Sequence, residues 1–84
     1  MMKPISYSKA AVRTLRRMPA NTAARIRSKI VAYAADPLAQ ANNVKALQGR
    51  PGIRLRVGDW RVLMEDGAVL AVLLIGPRGD IYDD

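Results

Sequence analysis

The 84-residue sequence contains no cysteine, no histidine and no phenylalanine. Without cysteine, the chain can form neither a disulfide framework nor a thiolate metal site. Without histidine, it also lacks a common zinc ligand and the side chain that most often transfers protons near neutral pH. We therefore expect no metal and no cofactor. Three tyrosines and one tryptophan are too few for an aromatic platform that stacks single-stranded bases.

Long hydrophobic segments are lacking too. The longest apolar run, residues 68–75, is too short to cross a bilayer and is typical of a strand covered on both faces. The N-terminus has no apolar segment after its charged residue, so it does not resemble a signal peptide. We expect a single small domain, residues 1–84, that is cytoplasmic and has no membrane partner.

Positive charge is abundant and unevenly distributed. Thirteen of the fourteen basic residues lie at or before Arg61, against two acidic ones, whereas Arg78 alone follows, against five acidic ones. The net charge is therefore +11 up to Arg61 and −4 after it. Such a basic body favours a polyanionic partner or an acidic protein. Basic helices that are merely solvated would give the same composition.

The hydrophobic pattern predicts the element order β-α-α-β-β-β. A short edge strand covers residues 3–7, and Ser8 is a suitable N-cap for a helix over residues 9–18. Asn21 is expected to cap a second helix over residues 22–35. So short a connection between two helices makes them an antiparallel hairpin.

The second half of the sequence predicts three antiparallel strands. Residues 38–52, which are rich in turn-forming residues, are expected to be an irregular connection. Gly58-Asp59 predicts a type II′ turn between the first two strands, and Asp66-Gly67 predicts a type I′ turn before the last. The expected fold class is therefore α+β, with the helix hairpin packed on one face of a small, mainly antiparallel sheet.

An arginine-rich hairpin is the most informative segment. Hydrophobic residues alternate with Arg54 and Arg56 in the strand before the Gly58-Asp59 turn, and the turn places Arg61 opposite Arg56. Like charges directly across a strand pair oppose folding, so we expect these arginines to bind a negative group such as phosphate. Replacing Arg61 would then relieve repulsion without unfolding the protein. A solvated strand face is the alternative interpretation.

The second turn determines what lies beside these arginines. Pairing across Asp66-Gly67 places Leu63 opposite Leu70 and Arg61 opposite Val72. The face that the helices leave open would then carry Leu63, Leu70, Val72 and Leu74 next to the arginines. A surface this hydrophobic is unfavourable in water, so we expect a partner to cover it.

Three segments of the sequence resemble the RelE/ParE family of bacterial toxins: KALQG from Lys45, IRLRVGDWRV from Ile53 and IGPRGDIY from Ile75. The resemblance spans residues 3–82. It implies a toxin that is neutralised by a cognate antitoxin in a heteromeric toxin–antitoxin complex. It further implies a RelE-like endoribonuclease, an mRNA interferase that arrests growth by cutting mRNA on the ribosome without a metal. The alternatives are a ParE-like inhibitor of DNA gyrase without nuclease activity, or an inactive member that serves as an antitoxin-binding or DNA-binding partner.

The resemblance also assigns residue roles. The RelE-type catalytic positions correspond to Arg54, Arg61, Arg78 and Tyr82. Contacts to RNA phosphate correspond to Arg56 and Lys45. An upstream lysine of some members falls at or near Gly52, where this chain has no side chain.

In cleavage by 2′-OH attack, the arginines would stabilise charge on the phosphorane. Tyr82 would transfer a proton, although it could instead only pack on the sheet. The antitoxin is expected to lie across Leu63, Leu70, Val72 and Leu74, because an amphipathic segment with acidic flanks fits an apolar strip beside a basic one.

Overall fold

The computed structural model describes residues 2–79 and residue 81. In chain order, the elements are β1 (Ile5–Tyr7), α1 (Lys9–Arg17), α2 (Ala20–Ala35), a 3₁₀ helix (Pro37–Asn43), β2 (Val44–Ala46), β3 (Ile53–Val57), β4 (Trp60–Asp66) and β5 (Leu70–Pro77). The fold is α+β, and the five strands have the order β1-β5-β4-β3-β2. The β1–β5 pair is parallel and the other three pairs are antiparallel.

The start of α1 is fixed by Ser8, as the sequence predicts. Its hydroxyl oxygen accepts a 3.0 Å hydrogen bond from the Ala11 N–H and donates a 2.6 Å bond to the Leu73 carbonyl. Ser8 therefore caps the helix and also attaches it to β5. Ala11 and Leu15 form the buried side of α1.

Helix α2 begins at Ala20, two residues earlier than its predicted start. The Pro19 carbonyl accepts the first intrahelical bond, 3.0 Å from the Ala23 N–H, so Asn21 is already inside the helix and is not its cap. Proline is suited to this boundary because its fixed φ, here −55°, is compatible with the entry to a helix. The buried face of α2 includes Ile26, Ile30 and Tyr33.

The prediction of an irregular connection over residues 38–52 was wrong. It contains most of the 3₁₀ helix and all of β2, which pairs with β3 through Val44↔Leu55 and Lys45↔Arg54. A three-residue strand is too short for alternation to reveal it. The pairing adds Lys45 to the face that carries Arg54.

The predicted hairpin between β3 and β4 is confirmed. Gly58 and Asp59 form a two-residue turn, with Arg56 paired to Arg61 and Val57 to Trp60. Gly58 has a φ of +57°, the left-handed conformation that a type II′ turn requires of its first central residue.

The predicted pairing of β4 with β5 was wrong. The connecting loop has three residues, 67–69, and Met64 pairs with Val72. A bulge follows, after which Leu63 pairs with Leu74. Compared with the expected pairing, the register is displaced by three residues before the bulge and by four after it. An odd displacement moves side chains to the opposite face, whereas an even one does not.

This register moves two of the four expected antitoxin contacts, Leu70 and Val72, away from the arginine face. Leu70 and Val72 are buried in the main core, against the helices, and cannot form an exposed strip. Leu63 lies on the arginine face but is buried with Leu47 and Ile81. Leu74 alone of the four is exposed, at 42%. The chain itself therefore covers most of the apolar surface for which the sequence predicted a partner.

Gly76 makes room for this second hydrophobic cluster. A Cβ atom at position 76 would lie 2.8 Å from side-chain atoms of Ile81, which is closer than real contacts allow. A side chain at residue 76 would therefore force Ile81 to shift from its present packing. None of the helices in the described residues is long and apolar enough to cross a membrane.

Candidate functional site

The sheet brings four basic side chains to the face that lies away from the helices. Lys45 pairs with Arg54 between β2 and β3, and Arg56 pairs with Arg61 between β3 and β4. Because paired residues point to the same side of a sheet, Lys45, Arg54, Arg56 and Arg61 share one surface. This arrangement agrees with the alternation in the sequence and extends it by Lys45.

Two adjoining clefts are built on this surface. The strand cleft, of about 280 Å³, is lined by Asn42, Asn43, Val44, Lys45, Arg54, Arg56, Arg61 and Arg78. The helix cleft, of about 470 Å³, is lined by Arg25, Lys29, Asn43, Arg56, Val57, Gly58, Asp59, Arg61 and Arg78. Asn43, Arg56, Arg61 and Arg78 line both. They therefore form a shared wall, and we call the three arginines the central arginines.

Arg61 is the most buried of the central arginines, with 9% of its surface exposed. Its Nη1 donates hydrogen bonds of 3.0 Å to the carbonyls of Gly58 and Trp60. These bonds hold the guanidinium group against the β3–β4 turn. The sequence predicted that replacing Arg61 would only relieve charge repulsion, but these two bonds show that Arg61 also supports the turn.

Arg56 is exposed, in contrast to Arg61. Its Nη2 donates a 3.2 Å hydrogen bond to the side-chain oxygen of Asn43, at the end of the 3₁₀ helix. The remaining donors of a guanidinium group suit planar, bidentate contacts with phosphate or carboxylate. Arg56 is thus oriented by a neutral neighbour and accessible from both clefts.

Arg78 is placed by its backbone. Its N–H donates a 2.7 Å hydrogen bond to the carbonyl of Asp59 in the β3–β4 turn. The bond brings the segment after β5 to the wall of both clefts. Tyr82, the fourth expected catalytic residue, lies outside the described residues.

Arg25 and Lys29 of α2 also line the helix cleft, although the sequence did not identify them as site residues. Their spacing of four residues places both on one side of the helix, and that side borders the β3–β4 turn. The spacing was visible in the sequence, but it does not say which element the helix face meets. Gly58 accommodates Arg25, since a Cβ atom there would overlap the Arg25 Nη2.

The clefts are strongly basic. Together they are lined by seven cationic side chains, and Asp59 is the one carboxylate among the described lining residues. Clustered positive charge with partly shielded walls attracts polyanions and raises their local concentration. In the described part of the chain, no three acidic side chains are close enough to hold a metal ion. The described geometry is therefore suited to binding phosphates directly.

Gly52 does not contribute a cation. Its φ is +117°, and a Cβ atom at this position would lie 2.9 Å from the Met64 carbonyl oxygen. Both features exclude an ordinary side chain there without a shift of the backbone. The positive charge on this face comes instead from Lys45 on β2, from Arg54 and Arg56 on β3, and from Arg61 on β4.

A polar cluster lies at the opposite end of β4 from Arg61. Asp66 accepts a 2.9 Å hydrogen bond from the Tyr33 hydroxyl and forms an ion pair with Lys3. The Lys3 hydrogen bond is the main cause of a lowered Asp66 pKa, with burial acting in the other direction. Burial, together with the hydrogen bond and negative charge of Asp66, raises the pKa of Tyr33 to about 12. The cluster joins β1, α2 and β4, and we assign it to stability.

A third basic surface lies along α1. Tyr7 and Val12 lie there beside Lys9, Arg13, Arg16 and Arg17 in a groove of about 410 Å³. Burial raises the pKa of Tyr7, and the positive charge of Arg27 opposes that rise. This surface is separate from the two clefts and shares none of their described lining residues.

The chain matches a family model over most of its length. The model for the ParE toxin of the type II toxin–antitoxin system, parDE, matches residues 5–82. No match to the chain was found among curated proteins.

Solved structures with a similar fold include toxin–antitoxin complexes. The archaeal RelE–RelB complex from Pyrococcus horikoshii OT3 contains a chain with a TM-score of 0.79 and 24% identity, covering 94% of this chain and 98% of that one. The isolated E. coli RelE toxin gives a TM-score of 0.74 at 16% identity, covering 90% and 84%. The RelB–RelE antitoxin–toxin complex from Methanococcus jannaschii gives 0.70 at 24% identity, covering 92% and 94%. At these identities, the similarity shows a common fold.

Proposed function

The chain belongs to the ParE toxin family of type II toxin–antitoxin systems, and on that premise we propose that it is a ribosome-dependent endoribonuclease that cleaves mRNA without a metal ion. One observation carries the proposal. Seven cationic side chains from α2, three strands and the segment after β5 converge on two adjoining clefts. Such a surface is complementary to the closely spaced phosphates of a single RNA strand.

The proposed reaction begins with the ribose 2′-oxygen, which attacks the adjacent phosphorus. A bond forms between the 2′-oxygen and phosphorus, and the bond to the 5′-oxygen breaks, which leaves a 2′,3′-cyclic phosphate and a free 5′-hydroxyl. The 2′-hydroxyl gives up one proton and the leaving 5′-oxygen receives one. Negative charge develops on the phosphoryl oxygens, where fixed guanidinium groups stabilise it best. Arg54 and the central arginines are proposed for this role, with Lys45 as a further phosphate contact.

Proton transfer needs a different kind of side chain, because arginine stays protonated. We assign it to Tyr82 from its position in the sequence. A tyrosine hydroxyl has an ordinary pKa of about 10, and neighbouring positive charge lowers that value. Tyr82→Phe should then slow cleavage and leave ribosome binding nearly unchanged, since only a proton-transfer group is lost. Equal loss of binding and cleavage would indicate that Tyr82 only packs.

The proposed partner in the cell is a cognate antitoxin. The solved complexes of RelE with RelB support such a partner for this chain. Leu74 remains the accessible member of the expected contact set, exposed on the arginine face. An antitoxin segment with an apolar anchor at Leu74 and acidic flanks would occlude the clefts.

Induced expression with primer extension tests the nuclease. Growth should stop, and mRNAs should be cut within translated frames only when ribosomes are engaged. Arg56→Ala should abolish the cuts, because Arg56 lines both clefts and its removal leaves the core intact. Uncut messages during growth arrest would contradict the proposal.

A second candidate, inhibition of DNA gyrase by binding, is favoured by the family model itself, which is that of ParE toxins. In this case, the same induction would cause gyrase-dependent DNA breaks while messages stay intact. The basic clefts would then bind an acidic protein surface or DNA. A single experiment that measures both mRNA cuts and DNA breaks therefore distinguishes the two functions.

A further inference from the structure

The two clefts share the central arginines but differ in their other cationic residues. The strand cleft adds Lys45 and Arg54, whereas the helix cleft adds Arg25 and Lys29. Both helix residues are exposed and lie on successive turns of α2. Like charges four residues apart on a helix repel each other, and a bound anion would remove that repulsion.

Arg25 is an exposed residue that lies close to the β3–β4 turn. Its guanidinium group lies against Gly58, so closely that a Cβ atom there would overlap it. The same turn carries the carbonyls that hold Arg61 and Arg78. One turn therefore positions cations from α2, from β4 and from the segment after β5.

Each of the two clefts is basic and much larger than a water molecule. Their volumes of about 280 and 470 Å³ greatly exceed the roughly 30 Å³ that a water molecule occupies. The strand cleft is lined by five cations, and the helix cleft by five cations and Asp59. Both are therefore strongly positive, and the central arginines lie between them.

We infer that the helix cleft is a second phosphate subsite, so that the protein binds a single strand through neighbouring phosphates, one in each cleft. This inference rests on the proposed function, in which the strand cleft and the central arginines hold the scissile phosphate. Arg25 and Lys29 hold the next phosphate and thereby position the strand. The substrate must then carry a phosphate beside the scissile one, and a dinucleotide with a single phosphate is a poor ligand.

Binding of uncleavable oligonucleotides tests the subsite. Short RNAs with 2′-O-methyl groups cannot react, so their affinity reports binding alone. Fluorescence anisotropy would compare a dinucleotide with one phosphate and a trinucleotide with two, at several salt concentrations. For single strands, log K falls as log salt rises, and each phosphate neutralised adds about 0.7 to the magnitude of this negative slope.

Three variants separate position from charge. Arg25→Ala/Lys29→Ala removes the two helix cations of the cleft. Arg16→Ala/Arg27→Ala removes the same charge from exposed positions on the helix hairpin that line neither cleft. Gly58→Ala keeps every charge but displaces Arg25, and because Gly58 has a φ of +57° it also strains the turn that holds Arg61 and Arg78. Melting temperatures would show that each variant is folded.

For the wild type, the salt dependence should become steeper by about 0.7 from the RNA with one phosphate to the RNA with two. The affinity should increase as well. Arg25→Ala/Lys29→Ala should lose this gain, Gly58→Ala should lose part of it, and the matched control should keep it. A wild-type slope that is equal for both lengths would overturn the subsite and leave the proposed nuclease standing, as would an equal loss in the control. A wild type that binds neither RNA would overturn the subsite, whereas the ribosome-dependent nuclease is tested separately by primer extension.

Discussion

The backbone N–H of Arg78 donates a 2.7 Å hydrogen bond to the carbonyl of Asp59. The two residues are 19 positions apart in the sequence, yet the bond joins the segment after β5 to the turn between β3 and β4. It brings Arg78 beside Arg56 and Arg61 on the shared wall of the clefts. Because the donor is the main chain, replacing the Arg78 side chain by alanine leaves this attachment intact.

Removal of the Arg61 side chain should lower the free energy of unfolding more than removal of the Arg56 side chain. Arg61→Ala deprives two carbonyls of their buried, charged donor, so we expect a loss of about 1–3 kcal/mol in the free energy of unfolding. For a domain of this size, that lowers Tm by roughly 4–8 °C per kcal/mol. Arg56→Ala, at an exposed position, should change stability by less than about 0.5 kcal/mol.

Thermal unfolding and induced toxicity, measured on the same two variants, check this. Both variants should lose toxicity, and only Arg61→Ala should lose stability. If Arg61→Ala instead melts at the wild-type temperature or above it, the bonds to the turn contribute little and the cross-strand repulsion dominates.

Leu70 and Leu74 should respond in opposite ways to aspartate. Leu70→Asp places a charge in the main core, and we expect the free toxin to lose more than about 4 kcal/mol of stability and to unfold. Leu74→Asp changes an exposed side chain and should leave the free toxin folded while it weakens the antitoxin complex. Calorimetric titration with the cognate antitoxin measures the second effect.

Val69 provides the matched control for Leu74. It is equally exposed, at 42%, but it lies in the β4–β5 loop, away from the arginines. Val69→Asp should therefore bind antitoxin as the wild type does. Equal weakening by both substitutions would mean that the added negative charge acts generally and that Leu74 is no specific contact.

Tyr33 should make stability depend on alkaline pH. Its pKa is raised to about 12 by burial and by Asp66, whereas an unfolded tyrosine titrates near 10. The folded state disfavours the phenolate, so this contribution is complete below about pH 10 and is lost as the pH rises towards 12. Denaturant unfolding at pH 8, 10 and 11 should show the advantage of wild type over Tyr33→Phe shrinking. A constant difference would contradict the assignment.

Asp66 should act at the other end of the pH range. Its lowered pKa, caused first by the Lys3 hydrogen bond, means that its contribution is present above the unfolded value of about 3.9 and is lost as the pH falls through the folded value. Asp66→Asn should reduce this loss of stability at low pH. The effect should be small, since the pair is partly exposed, and acid titration of the unfolding midpoint measures it. If Asp66→Asn loses stability at low pH as much as the wild type does, other carboxylates cause the acid sensitivity.

Local signals in the sequence sufficed for some elements. Ser8 caps α1 through its own side chain, and the Gly58-Asp59 turn sets the β3–β4 pairing by itself. The prediction of a tight turn at Asp66-Gly67 was wrong, because the burial of Leu70 and Val72 against the helices outweighs a local turn preference. The extra strand β2 depends on its partner and leaves almost no pattern of its own.

The candidate site was predictable to a similar extent. Alternation placed Arg54, Arg56 and Arg61 on one face, and their partners across β2–β4 confirm that shared face. Alternation in the sequence could not show that the Arg61 side chain is buried against carbonyls, because it does not predict the position of the guanidinium group. Arg25 and Lys29 were missed for a related reason. Helical spacing groups them, but only tertiary packing decides that they face the β3–β4 turn.

The position of β5 within the sheet has a consequence for synthesis. It lies between β1 and β4, and it pairs with β1 across a separation of 65 residues, Ile5 with Leu70. As the chain emerges, β1 and both helices have no completed sheet to pack on until β5 has been made. Contacts so distant in sequence form late in folding. The sheet therefore cannot be completed during synthesis until β5 is free to insert between β1 and β4.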